Sequence, residues 1–155
     1  MDIESSKARA LRILGKRSLS AREIEKRLVS KGEDAETAQQ TVRWLEDIGA
    51  VNDKEYAASI VRHYIAKGYG LAKIREELYR RGIDRDMWEE ALGDLDGMEE
   101  AADDFIAKKL QGESGKDDLR RAANALYSRG FSYEEARAAV NRYAERVGEA
   151  EDIGL

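Results

Sequence analysis

One apolar ladder closed by a glycine occurs three times in this chain, and that repetition constrains the fold more than any other feature. Ala21, Ile24, Leu28 and Gly32 recur fifty residues on as Leu71, Ile74, Leu78 and Gly82, and forty-eight further on as Leu119, Ala122, Leu126 and Gly130. Apolar residues at i, i+3 and i+7 share one face of an α-helix, and a glycine after them suits the left-handed position that ends it. A cation precedes each glycine, namely Lys31, Arg81 and Arg129, where it favours the free carbonyls of a helix C-terminus. Beyond each glycine, Asp34, Asp84 and Ser132 are suited to cap a further helix, with Glu36, Asp86 and Glu134 in its first turn. The register then continues through Ala38, Trp88 and Ala136, through Val42, Leu92 and Val140, and through Leu45, Leu95 and Tyr143. Ser20 with Glu23, and Ser132 with Glu135, have the spacing of a capping box.

A leading helix stands ahead of each ladder: Leu11 and Leu14 mark the first, Tyr56, Ile60 and Tyr64 the second, and Ala102, Phe105, Ile106 and Leu110 the third. The expected fold is all-α, with nine helices in three tandem three-helix repeats of helix-turn-helix type. Their expected bounds are 1–50, 51–96 and 97–148, with an acidic tail at 149–155. A unit of about fifty residues buries little surface alone, so neighbours are expected to stack or hinge into an elongated, slightly curved chain. Gly97 and the stretch 111–115 are the expected flexible points.

Composition agrees with thin helical modules. There is no proline, the glycines fall singly between periodic segments, and charged residues reach 38% against 42% hydrophobic. With no cysteine, neither disulfides nor thiolate metal sites are available. The amino terminus lacks the apolar core of a signal peptide and no apolar run approaches a membrane span, so the expected location is the cytoplasm. The net charge of −5 conceals an asymmetry. Lys7, Arg9, Arg12, Lys16, Arg17, Arg22, Lys26, Arg27 and Lys31 face only Glu23 and Glu25 in their stretch, whereas residues 97–155 are net acidic. Such a chain is unsuited to coating DNA along its whole length, although its basic part suits an anionic partner.

Catalytic chemistry finds little footing. His63 is the single histidine and has no nucleophile motif near it. The carboxylate pairs Glu76–Glu77, Glu89–Glu90 and Asp103–Asp104 are adjacent in sequence. On a helix such neighbours diverge by about 100° and read as solvated surface. Gly68, Tyr69 and Gly70 do not form a phosphate loop, lacking the strand before and the Lys-Ser/Thr after. They read as a corner, with Gly68 ending one helix, Gly70 opening the next and the Tyr69 ring beneath. Tyr127, Phe131 and Tyr133 are expected to close the third unit's core rather than to stack bases. No metal, cofactor or catalytic residue is expected.

The stretch DKEYAASIVRHYIAKGYGLAKIREELYRRGI (53–83) resembles the central repeat of the RecX family, with its acidic-x-x-Tyr-Ala start and Lys-Gly-Tyr-Gly turn. ALYSRGFSYEEARAAV (125–140) is similar to the family's Arg-Gly-Phe-Ser segment. SLSAREIEKRLVSKG (18–32) resembles its opening pattern, with Ile24 in place of leucine. Three matches in order cover the chain from Lys7 to about Tyr143. The resemblance implies a non-enzymatic regulator whose partner is the RecA recombinase filament on single-stranded DNA. RecX-like proteins lie along the filament groove, block growth or promote disassembly, and so inhibit RecA's ATPase, strand exchange and co-protease activities in recombination and SOS repair. A monomer is expected, with at most weak direct DNA contact, since this chain is more acidic than strong DNA binding favours.

The expected contact surface is basic. Arg9, Arg12 and Lys16 share one helix face, with Arg17 beside them, and Arg22 and Lys26 share another, with Arg27. Lys67, Lys73, Arg80 and Arg81 extend the set in the second repeat. Two other readings stay open. One is a helix-turn-helix DNA-binding regulator built on residues 18–51, although its recognition helix would carry Glu33, Asp34, Glu36, Glu46 and Asp47 against Arg43 alone. The other is a helical adaptor for a different protein.

Overall fold

Side chains that satisfy free backbone groups decide where the helices start. In the computed structural model, which describes the backbone of residues 2–93 and 95–152 and side chains up to 148, Ser20 and Glu23 form a reciprocal box. The Ser20 N–H donates to Glu23 Oε1 (3.0 Å) and the Glu23 N–H to Ser20 Oγ (3.1 Å). Ser132 and Glu135 repeat the arrangement at 2.8 and 3.0 Å. Asp34 accepts from the Thr37 N–H at 2.8 Å. That bond holds its exposed carboxyl below the ordinary carboxylate range.

The described residues form nine α-helices and no strand: α1 (Ile3–Leu14), α2 (Ala21–Ser30), α3 (Ala35–Asp47), α4 (Asp53–Ala66), α5 (Leu71–Arg80), α6 (Trp88–Leu92), α7 (Met98–Leu110), α8 (Lys116–Ser128) and α9 (Tyr133–Asp152). They make three tandem three-helix repeats. Gly32, Gly82 and Gly130 have φ of +100°, +73° and +99°, the left-handed region where a Cβ would be strained. The acidic tail expected at 149–155 begins inside α9; its side chains and residues 153–155 lie outside the described part.

The middle repeat departs from its neighbours. Asp84 makes no capping bond; its carboxylate pairs instead with Arg22 at 2.6 Å. With its cap drawn away, the chain opens as a 3-10 turn (Arg85–Met87) and α6 spans only five residues. The register position Leu95 therefore falls outside any helix. The Trp88 Nε1–H donates to the Ile83 carbonyl at 2.9 Å, closing the short segment on itself.

Spatially the chain forms two compact units: Met1–Ser59 with Glu77–Gly93, and Ile60–Glu76 with Asp94–Leu155. Long α4 and α5 thus each contribute to both. In the first unit, Ala10, Leu19, Ile24, Leu28, Ala38, Val42, Leu45 and Val51 make a core, with Ile13, Leu14 and Trp44 against it. Of the two leucines that mark α1 in the sequence, Leu14 packs against this core and Leu11 is 45% exposed. The buried face of α1 runs through Ser6 and Ala10 instead, because a polar network occupies its seam with the other helices. The Ser6 hydroxyl donates to Glu33 Oε1, Thr41 donates to Ser6 Oγ (2.7 Å), and Arg9 Nη1 donates to Glu33 Oε2 (3.2 Å). Glu33 is only 4% exposed, so it belongs to the interior and not to a solvent-facing acidic helix.

The second unit buries Ile60, Val61, Ile65 and Ile74 together with Ala102, Ile106, Leu110, Ala122, Leu126, Phe131, Ala139 and Tyr143. Of the aromatic trio expected to close this core, only Phe131 does so. Tyr127 and Tyr133 are each 59% exposed and meet edge to face at 6.0 Å. Among the described residues no buried side-chain polar atom lacks a hydrogen-bond partner. None of the described helices is long and apolar enough to cross a membrane.

Candidate docking surface

The eleven cations picked out by spacing divide into two kinds. Five are engaged with acids. Arg9 pairs with buried Glu33 at 3.2 Å, Arg22 with Asp84 at 2.6 Å, and Lys73 with Glu76 at 3.9 Å. Arg80 and Arg81 both reach Glu77, at 2.9 and 3.1 Å, and Arg81 also donates to Tyr56 Oη at 3.0 Å. Glu77 is 2% exposed, which corrects the view of Glu76–Glu77 as a solvated pair: a carboxylate is buried there because two guanidinium groups compensate it. Arg9, Arg81 and part of Arg80 therefore serve the fold. Arg12, Lys16, Arg17, Lys26, Arg27 and Lys67 are exposed and make no ion pair among the described residues. Lys67 and Lys73 belong to the second unit and the other nine to the first.

Within the first unit, α2, α5 and the segment leading into α6 enclose an open groove of about 580 Å³. It brings Arg22, Lys26 and Arg80 together with Arg85, Tyr79 and Trp88. The Arg85 guanidinium stacks 5.3 Å from the Trp88 ring centroid. Tyr79 is 72% exposed. Sequence spacing did not single out Tyr79, Arg85 or Trp88 as contact residues. The signal was present, since Tyr79 stands at the same register position as Val29 and Tyr127, which are also exposed. Each repeat thus carries a large apolar side chain facing water three residues before its glycine. Positive charge beside exposed aromatic surface is the composition of a protein-recognition patch.

The Lys-Gly-Tyr-Gly corner is held from the third repeat. Arg129 donates from Nε to the Gly68 carbonyl (2.9 Å) and from Nη2 to the Lys67 carbonyl (2.6 Å). Its guanidinium lies 4.1 Å from the Tyr69 ring centroid and 4.8 Å from that of Phe105. The N-terminus of α5 closes on the third repeat's glycine corner: the Gly70 N–H donates to the Arg129 carbonyl (2.9 Å) and the Ala72 N–H to the Gly130 carbonyl (3.1 Å). A Cβ at Gly70 would overlap the Gly130 backbone, and one at Gly130 would stand 2.6 Å from the Lys73 amide nitrogen. Gly68, Tyr69 and Gly70 are thus engaged in structure, as is Gly130.

His63 is exposed and its ring meets Tyr64 edge to face. No cluster of three metal-binding side chains occurs among the described residues. Burial raises the carboxyl of Asp53, opposed by the hydrogen bond it accepts from the Ala21 N–H (2.9 Å). Burial likewise raises Glu46, beside Asp53 and Asp47. Asp53 is half-buried at the start of α4, whereas Glu46 lies on an exposed part of α3.

Comparison with known proteins gives a consistent answer. Residues 7–45 match the family model described as the first three-helix domain of RecX, and residues 52–92 match that of the second. The chain is 38% identical over 136 residues to the regulatory protein RecX of Xanthomonas axonopodis pv. citri (strain 306), covering 85% of this chain and 83% of the relative. It is 34% identical, over the same number of residues and with the same coverage, to that of Stenotrophomonas maltophilia (strain R551-3). In fold it is similar to the crystal structure of RecX from Lactobacillus salivarius, with a TM-score of 0.79 at 24% identity, over 90% of this chain and 95% of that one. A crystal structure of regulatory protein RecX gives 0.77 at 21% identity, over 90% and 73%.

Proposed function

The chain belongs to the RecX family of regulatory proteins, and from that premise we propose that it binds the RecA recombinase assembled on single-stranded DNA and inhibits it. The observation that carries this reading is the ordered set of three family-like repeats running through the chain, each offering exposed side chains from the same register positions. Binding lowers RecA's ATP hydrolysis, strand exchange and co-protease activity, in the cytoplasm, without a cofactor. The repeats retain the bounds 1–50, 51–96 and 97–148 as units of recognition. The exposed cations Arg12, Lys16, Arg17, Lys26, Arg27 and Lys67 and the groove around Tyr79 supply the contacts, with apolar anchoring from Tyr79 and electrostatic attraction from its rim.

Direct reading of duplex DNA is less well supported. The helix that would enter the major groove, α3, carries Glu36, Glu46 and Asp47 against Arg43 alone, and phosphates repel it. The test is co-sedimentation of the chain with RecA filaments formed on single-stranded DNA, comparing the parent with Tyr79→Ala and Lys26→Glu. The parent is expected in the pellet, and each variant is expected to bind about tenfold more weakly, as loss of an aromatic anchor or a rim charge allows. A parent chain that stays in the supernatant overturns the reading; variants that bind like the parent overturn the assignment of the groove.

A further inference from the structure

In the groove of the first unit, the carboxylates are already partnered while two of the cations are not. Asp84 is drawn onto Arg22 at 2.6 Å, and Glu23 accepts from the Ser20 N–H at 3.0 Å. The Arg80 guanidinium lies on buried Glu77 at 2.9 Å. Lys26 and Arg85, which also line the groove, are exposed and enter no ion pair among the described residues.

Arg85 is the better organised of the two. Its guanidinium centre lies over the Trp88 ring, 5.3 Å from the centroid. A guanidinium on an indole keeps its N–H groups at its edge, so the stack orients the fork without consuming its donors. A carboxylate matches such a fork with two parallel hydrogen bonds. Tyr79, 72% exposed, and half-buried Trp88 supply apolar surface in the same groove. The second repeat alone combines these features. The positions three residues either side of the glycine hold Val29 and Ala35 in the first repeat, Tyr79 and Arg85 in the second, and Tyr127 and Tyr133 in the third. Where the second repeat has a ring and a cation, the third has two rings meeting edge to face at 6.0 Å.

We infer, on the premise of the docking role proposed above, that this groove takes an acidic peptide segment of the partner. One carboxylate sits on the Arg85 fork, a second is drawn to Lys26, and an apolar side chain between them rests on Tyr79 and Trp88. The volume of about 580 Å³ suits a few residues of extended chain. Four cations and two carboxylates line the groove. That surplus suits one or two carboxylates better than a nucleic-acid strand, whose unbroken row of phosphates would also meet Glu23 and Asp84.

The test uses the full chain without RecA. A short fluorescein-labelled peptide of aspartates interspersed with leucine and serine is titrated with the chain at low salt, and anisotropy reports binding. Its asparagine counterpart and a labelled oligothymidylate are titrated in parallel. The aspartate peptide is expected to bind at least about tenfold more tightly than either, and more weakly as salt rises. Lys26→Glu, Arg85→Ala and Arg85→Lys are each expected to weaken it about tenfold, the last because lysine lacks the planar fork. Arg12→Glu reverses a charge on α1 outside the groove and is expected to change affinity less than about twofold. With Trp44→Phe, Trp88 is the one indole left, and the peptide is expected to shield it from acrylamide quenching. Absence of peptide binding overturns the acidic occupant, as does oligothymidylate that binds as tightly, Arg12→Glu as damaging as Lys26→Glu, Arg85→Lys that binds like the parent, or Trp88 left unshielded. If the chain co-sediments with RecA filaments and the peptide does not bind, the docking role stands and this occupant alone falls.

Discussion

Glu33 carries more of the first repeat than its position in the sequence suggests. Counted along the chain it is one acid among several before α3, and nothing local marks it as interior. It is buried because Ser6 and Arg9 on α1 and Thr41 on α3 meet there, and such distant coincidence does not show in periodicity. Glu33→Ala would leave Arg9 and the Ser6 hydroxyl without their acceptor. The expected loss is about 2–3 kcal/mol, below the range for a fully buried pair because Arg9 is partly solvated. Equilibrium urea unfolding measures it, and a loss as small as that of an exposed salt bridge would contradict the network's role. Asp53 works in the opposite sense. Because burial raises its carboxyl, the folded chain holds that proton to higher pH than the unfolded chain does. Stability therefore falls as pH rises through the window above the ordinary aspartate value, and the whole penalty is present at neutrality. Asp53→Asn keeps an oxygen for the Ala21 N–H, so the variant is expected to be at least as stable as the parent at pH 7. Its advantage should vanish below the ordinary aspartate range, as unfolding curves at several pH values will show.

At the scale of elements, most of the chain was legible because its helix boundaries are local. Ser20 with Glu23, Asp34 with Thr37, and Ser132 with Glu135 each act within four residues, and the three glycines end their helices through φ alone. The exception shows where locality stops. Asp84 has the right type for a cap, but Arg22, brought in from the first repeat, competes for its carboxylate and the following helix shrinks to one turn. On α1 the leading helix forms as expected and Leu14 packs inward, but Leu11 faces solvent, with Ser6 and Ala10 on the buried face. The glycines themselves separate two effects. Gly32→Ala meets open space and suffers only left-handed strain, about 1 kcal/mol. Gly130→Ala suffers the same strain and also a Cβ pressed on the Lys73 amide, so it is expected to lose at least about 1 kcal/mol more. Equal losses in urea unfolding would mean that the α5–corner contact contributes little.

For the molecule as a whole, the tandem architecture follows from patterns that any helix obeys, whereas the docking surface depends on which cations the fold consumes. Spacing alone grouped eleven basic residues; acids three or four residues away engage Lys73, Arg80 and Arg81, and acids from elsewhere in the chain engage Arg9 and Arg22, while the groove adds Tyr79 and Arg85 and draws Trp88 from the apolar register. The most direct measurement is a titration of the chain into RecA hydrolysing ATP on single-stranded DNA. The rate is expected to fall with added chain and to level off once the filament is saturated. A rate that stays constant up to a large excess of chain over RecA would contradict inhibition by docking.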